Sequence, residues 1–355
     1  MSKPLVLVVN FGCPEKPDPP EVETFLRDLF SDPLMIQAPG AVRWFLKNWT
    51  ARRRAACLAA VYRQIWTDEG APLRVHSVAF RDKLARALHP NFEVALAMRY
   101  GQPSIESVLQ SAGLSSRRPL VVFPLFPQSA QATTGSIVKA VGDAASSAAL
   151  RDLIRIVPPF FDHPGFLDAF TANGRPLLDE FEPDHVLMSF HGLPLRDIRR
   201  LEPSPGHCLR PGYSCCRPLT AANRGCYVAQ CLETARRLGQ KLGISENRWT
   251  ACFQSRSGPG QWTAPHTENL IAALPKQGCR RLLVFCPSFV TDCIETLEEI
   301  AIRGRRLFRE SGGQDLRLVP SLNDSDSWVA AASTIVREEG GRHEKPNCRE
   351  GGLKP

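Results

Sequence analysis

VLMSFHGLPL, residues 186–195, decides how this chain is read. Residues 186–190 are apolar except for Ser189, and Gly192 and Pro194 follow at once. A short apolar run bounded by such residues reads as a strand covered on both faces, as the strands of a parallel sheet are. The run ends in His191, whose side chain titrates near neutrality, so at a strand's mouth it serves as base, acid or metal ligand. The plainer reading is a satisfied core histidine. Gly192 admits the close approach of a flat ligand and Pro194 stiffens the turn, which favours a site.

Seven further runs have the same character: 5–9, 93–98, 120–126, 153–157, 249–253, 281–286 and 316–320. Segments long enough for amphipathic helices separate them, which is βαβ grammar. The predicted fold is therefore α/β, with two similar Rossmann-like halves, each a four-stranded parallel sheet flanked by helices. The halves are expected at 1–158 and 159–336, with the seam in the proline-rich PPFFDHPGF (158–166) and a disordered tail over 337–355. Ligands of open α/β sheets bind beyond the carboxyl ends of strands. Those ends carry Asn10, Arg99, Pro124, His191, Gln254 and Pro287.

Length agrees with two units, since 355 residues exceed what one core usually supports. The formal charge of +8 admits an anionic partner, but no nucleic-acid-binding module is present and no nucleic-acid partner is expected. Neither G-x-x-x-x-G-K-[ST] nor G-x-G-x-x-G follows a strand, so no nucleotide cofactor is expected. No apolar run reaches the ~18 residues of a membrane span, and the N-terminus begins a strand, so the expected location is cytoplasmic. Twelve cysteines without an export signal read as thiols or metal ligands.

Three segments carry further chemistry. FPLFPQSAQATTGS (123–136) leaves a strand through small hydroxyl residues and either caps a helix or receives an anion. In VFCPSFVTDCIETLEEI (284–300), a helix after Pro287 would place Asp292, Glu295 and Glu299 on one face, either as solvated surface or as acids opposing His191. APGAVRWFLKNWTARRRAACL (38–58) mixes Trp44, Phe45 and Trp49 with Arg43, Lys47 and Arg52–Arg54. It suits a packed helix, the lip of an apolar pocket, or peripheral contact with a membrane.

Taken in order, VNFGCPEKPDPPEVETFLRDLFSDPLMI, AMRYGQPSIESVL, FPLFPQSAQATTGS, SFHGLP, FQSRSGPGQWTAPHTE, PSFVTDCIETLEEI and VPSLND span nearly the whole chain. In this order and spacing they resemble the ferrochelatases, lyases that insert Fe2+ into a porphyrin at the end of haem synthesis. The resemblance implies a class II chelatase-like fold with the porphyrin cleft between the halves. It also implies catalytic roles for His191 and Glu295, which would meet the Fe2+ substrate from opposite sides of the ring. Asp292 and Glu299 would extend a proton or metal path, and Phe11, Arg99, Tyr100, Trp262 and Phe289 would line the cleft. Protoporphyrin IX is the favoured substrate. A coproporphyrin ferrochelatase, a cobalt chelatase and a non-catalytic porphyrin carrier are the alternatives. Oligomeric state is left open.

Two departures stand out. TDEGAPL (67–73) places Ala71 where the family usually has Ser in Gly-Gly-Ser-Pro-Leu, which removes one hydroxyl contact to a propionate; Arg53 or Arg54 remains to meet a carboxylate. A longer segment, 195–226, separates HGLP from YVAQC (227–231) and carries cysteines as C-x6-C-C-x9-C-x4-C. This insertion resembles that of ferrochelatases with a 2Fe-2S cluster, for which Cys208, Cys215, Cys216 and Cys226 are the expected ligands. Zinc or free thiols are the other readings.

Overall fold

The computed structural model describes residues 3–113, 118–145, 151–201 and 206–340. All eight expected strands are present: β1 (Leu5–Asn10), β2 (Glu93–Met98), β3 (Leu120–Pro124), β4 (Ile154–Ile156), β5 (His185–His191), β6 (Trp249–Gln254), β7 (Arg281–Phe285) and β8 (Asp315–Leu318). They form two parallel four-stranded sheets, ordered β2-β1-β3-β4 and β6-β5-β7-β8. The inner strands β1, β3, β5 and β7 are the most completely buried, which is why their sequences are nearly continuous apolar runs. In the second sheet His191 pairs in register with Gln254.

Helices cover both faces of each sheet, and one of them ties the halves together. The helix Asp326–Gly340 packs against Pro72–Leu88 of the first half and Pro164–Phe181 of the second. Its Trp328 is fully buried, with Phe80, Phe160, Phe123 and Phe166 at ring-centroid distances of 5.7, 5.5, 6.2 and 6.2 Å. Such an aromatic cluster contributes through buried area and through its tilted and edge-on contacts.

That helix corrects the expected start of the tail. Residues 337–340 are helical: Arg337 donates to the Ala87 carbonyl at 2.7 Å, Glu339 is buried, and Gly340 lies under Phe92. The polar composition concealed this because long polar side chains pack by their stems. The rest of the expected tail, 341–355, lies outside the described residues. The helix expected after Pro287 is also corrected. A loop runs to Cys293, helix begins only at Ile294, and it continues as a π-helix over Leu297–Gly304.

Candidate active site at the carboxyl ends of the second sheet

His191 closes β5 and is half-buried. Its Nδ1 lies 2.7 Å from the Gly192 carbonyl oxygen, which can only accept, so Nδ1 carries the proton. In the neutral imidazole the other nitrogen, Nε2, then bears the lone pair. Tyr227, the first residue of the helix Tyr227–Lys241, donates its hydroxyl to the His191 carbonyl at 2.7 Å and fixes the main chain. Burial pushes the Tyr227 pKa up and keeps it a donor. Gly192 has no room for a Cβ, which would sit 2.8 Å from the Gln254 carbonyl and 3.6 Å from the Trp262 ring. The glycine is needed for this close approach.

Gln254 links His191 to the acidic segment. Its Nε2 donates to the Glu295 carbonyl at 2.6 Å, while its Oε1 accepts from Ser189 at 2.6 Å. Glu295 is half-buried and faces the first half: after burial, its charge is the largest influence raising the pKa of Tyr62, which lies in the helix Ala51–Arg63. The Cys293 thiol hydrogen-bonds to Glu295, and burial followed by that carboxylate drives its pKa up, so it stays a neutral donor. Cys13, on the first half and also near Tyr62, is pushed up to about 12, chiefly by burial.

The three acids expected on one face part company. Asp292 is only 5% exposed and its carboxylate is saturated, accepting from Thr296 Oγ1 at 2.9 Å, Asn323 Nδ2 at 2.8 Å and the Ser321 amide at 3.3 Å. Glu299 accepts from the Ser255 amide at 2.8 Å and its hydroxyl at 2.6 Å, with Arg303 3.9 Å away. Of the three, Glu295 is the one whose charge bears on the first half, at Tyr62. An α-helical period fails here because Asp292 precedes the helix and the segment after Thr296 is π-helical.

The expected cleft residues also separate. Phe289 stands 6.1 Å from His191, centroid to centroid. Trp262 pairs through its backbone with Pro194, its ring edge approaches Gly192, and its indole Nε1 is enclosed with no hydrogen-bond partner among the described residues. Phe11 is half-buried, 5.1 Å from the Tyr100 ring. Tyr100 itself is 2% exposed, and its hydroxyl donates to Asp32 at 2.9 Å; Arg99 pairs with the same carboxylate. Ser136, the last residue of the hydroxyl-rich segment and the first of the helix Ser136–Ala144, donates to Asp32 as well, so it is committed to an internal network. Arg54 is exposed on the helix Ala51–Arg63.

Beside the cleft residues lies an exposed apolar ridge. Trp44 is 63% and Trp49 57% exposed, and Phe45 stacks on Trp49 at 6.3 Å and 7°. Among the described residues no helix is long and apolar enough to cross a membrane.

In the insertion, Cys215 and Cys216 have sulfurs 3.7 Å apart, and Cys216 and Cys226 3.9 Å apart. Cys226, at the N-cap of Tyr227–Lys241, has its pKa lowered to about 6, first by the Cys216 thiol and then, against burial, by the amides of Ala229 and Val228. Cys216 is pushed up because it donates to Cys226. Cys208 is half-buried. Among the described residues no three His, Cys, Asp or Glu side chains are arranged as a metal site.

The roles of Tyr227, Tyr62 and the Gln254 side chain were not assigned from sequence. YVAQC and the strand-end position of Gln254 were visible there, but nothing in them announces a hydrogen bond to the His191 or Glu295 main chain.

Comparison with known proteins agrees with this geometry. The Ferrochelatase family model matches residues 3–340. A ferrochelatase of Ectopseudomonas mendocina is 40% identical over 339 residues, covering 94% of this chain and 98% of its own. One from Azotobacter vinelandii is 40% identical, covering 96% and 100%, and one from Coxiella burnetii is 38% identical, covering 94% and 93%. Among solved structures, SirB from Bacillus subtilis with Fe3+ superposes with a TM-score of 0.55 at 12% identity, covering 97% of this chain and 98% of its own, a likeness of fold. The chain belongs to the ferrochelatase family, the lyases that insert ferrous iron into a porphyrin in haem synthesis.

Proposed function

We propose that a porphyrin is metallated between His191 and Glu295, with His191 Nε2 as the proton acceptor on one face and Glu295 as the acidic group on the other. The observation that carries this reading is the Nδ1 contact with the Gly192 carbonyl, which leaves Nε2 as a free acceptor at the mouth of β5. Insertion exchanges two pyrrole protons for one Fe2+, so each turnover needs two proton acceptors close to the ring. Phe289 beside His191 and Trp262 beside Gly192 supply apolar walls. Phe11 extends the wall from the first half, while Arg99 and Tyr100 support it through Asp32. Arg54 serves a propionate. Glu299 and Asp292 position the acidic segment through Ser255 and Asn323 rather than passing metal or protons.

Protoporphyrin IX is the substrate we favour over the more highly carboxylated coproporphyrin, because the Trp44–Trp49 ridge suits an apolar cargo taken from a membrane surface. The protein then acts in the cytoplasm and peripherally.

A 2Fe-2S cluster would be held by Cys208, Cys215, Cys216 and Cys226. In such a cluster each iron would take two of the four thiolates, and two thiolates on one tetrahedral metal with ~2.3 Å bonds lie about 3.8 Å apart; either the Cys215–Cys216 separation of 3.7 Å or the Cys216–Cys226 separation of 3.9 Å suits one such pair. The lowered pKa of Cys226 favours the thiolate a metal requires. When bound, such a cluster supplies a one-electron redox centre.

The test is anaerobic incubation with Fe2+ and either porphyrin, read by the absorption change on metallation. His191→Ala should abolish insertion while the far-UV spectrum stays native. Normal turnover by that variant would remove the proton-acceptor role.

A further inference from the structure

Beneath the cysteine-rich insertion, at the free edge of the second sheet, lies a cavity of about 1050 Å³. His191, Glu295, Phe289 and Trp262 are not among its lining residues, so it is separate from the mouth of β5. We infer that this cavity is a second binding site, for an amphipathic carboxylate with a bulky apolar body.

Its floor follows from strand period. On β6, alternate residues Trp249, Ala251 and Phe253 turn toward it, whereas Cys252 points into the opposite core. Leu232 forms a side wall, and the insertion supplies a roof with Leu209, Tyr213 and Leu219. Tyr213 is held in place: its hydroxyl accepts from the Ala264 amide at 2.8 Å, and its ring meets Phe253 edge-on at 6.2 Å. The interior is thus apolar and aromatic, and its volume lies at the top of the ~300–1,000 Å³ range of small-molecule sites.

The rim supplies the charge. Arg210 and Arg217 border the cavity, are exposed, and have no side-chain partner among the described residues. A third lining arginine, Arg236, is already matched by Glu233, which accepts from it at 2.9 and 2.7 Å, and Glu246 is the remaining acid at the rim. Two uncommitted guanidinium forks over an aromatic pocket fit carboxylates outside and an apolar body inside. A tetrapyrrole bearing propionates and a long-chain fatty acid share that chemistry.

The test counts equivalents. Full-length chain is titrated by equilibrium dialysis with protoporphyrin IX and, in a parallel arm, with oleate. The comparison variants are Ala251→Phe, which fills the floor, and Arg210→Glu/Arg217→Glu, which reverses the rim charge and leaves the interior packing alone. One probe should occupy the wild type with one equivalent more than either variant, and its affinity should fall at least tenfold with the rim reversed. Which probe supplies the extra equivalent tells tetrapyrrole from acyl chain. Iron insertion by the rim variant should equal wild type, so failure of the His191 reading and of this one appear in different measurements. Equal stoichiometry and affinity across all three proteins, for both probes, would overturn the inference. Loss in Ala251→Phe alone would overturn the carboxylate assignment.

Discussion

Asp292 and Glu295 lie three residues apart, yet their surroundings predict opposite failures when each is removed. Asp292→Ala deletes a buried carboxylate with three donors. Thr296 Oγ1 keeps an alternative acceptor in the Cys293 carbonyl at 3.2 Å, and Asn323 is half-buried, so water replaces part of the loss. The Ser321 amide, in a residue 3% exposed, is left without the carboxylate. A buried orphan donor costs ~1–3 kcal/mol and hydrogen bonds to a charge are worth ~1.5–3 kcal/mol each, which together predict about 3 kcal/mol of lost stability once the desolvated charge is offset. For a chain of this size that lowers the thermal midpoint by roughly 5 °C. Glu295→Gln loses only a charged acceptor for a weak thiol donor and should cost under about 1 kcal/mol. Thermal melts paired with metallation rates separate the two. Asp292→Ala should melt early and, below its midpoint, retain insertion, whereas Glu295→Gln should melt normally and lose it. An Asp292→Ala protein that melts like wild type but inserts no iron would refute the division of labour drawn from these contacts.

Other perturbations follow from the same geometry. Trp328→Ala, which empties the aromatic cluster joining the halves, should cost ~3–5 kcal/mol in denaturant melts; a loss below about 1 kcal/mol would mean that the helix Asp326–Gly340 docks by other contacts. Asp32 is buried, which by itself raises its pKa, but Ser136, the Leu34 amide, Arg99 and Tyr100 together bring it below the ordinary value. Its folded pKa is therefore the lower one, so its stabilisation is present above the unfolded value of ~3.9 and is lost as pH falls through the folded value; the stability difference between wild type and Asp32→Asn should shrink below about pH 4, and a constant gap would exclude the linkage. Cys215→Ser should remove any visible cluster absorption, with iron and sulfide analysis as the check, and unchanged colour would mean the wrong thiols were chosen. Trp44→Ala/Trp49→Ala should weaken sedimentation with anionic vesicles and leave the midpoint nearly unchanged, since both rings are already in water.

What the sequence disclosed depended on how local its cause was. Every strand was legible because burial, nearly complete in the central strands and partial in β2, β4 and β8, favours an apolar run, and each run is bounded by its own turn residues. His191 was legible for the same reason, as a polar residue ending such a run. The acidic segment was not, because its backbone is set by distant partners: Asn323 and Ser321 draw Asp292 out of the helix, and Ser255 draws Glu299 aside. Residues 337–340 were misjudged because their helix is stabilised by Ala87 and Phe92, some 250 positions away in sequence. Arg99 and Tyr100 occupy the expected strand end, but a buried Asp32 claims their polar groups. No period or spacing announces that claim.

The two halves repeat the same strand order, and residues at or just beyond strand ends of each meet across the interface. On the proposed reading such a pair of halves needs its spacing fixed, because a proton acceptor and an acid on opposite faces of one ring tolerate little misplacement. Asn10, closing β1, supplies that link: its Nδ2 donates to Ser77 of the first half at 2.9 Å and to Thr291 of the second at 3.3 Å, while its Oδ1 accepts from the Phe11 amide at 2.8 Å. Thr291 directly precedes Asp292, whose carboxylate fixes the loop that delivers Glu295. Gln128 makes a second crossing, from the loop after β3 to Thr234 at 3.2 Å and the Pro287 carbonyl at 3.4 Å. Both crossings are buried, so each is stronger than a surface contact and costly to leave half-made. These crossings therefore fix the base of the interface, and the exposed Trp44–Trp49 ridge takes no part in them.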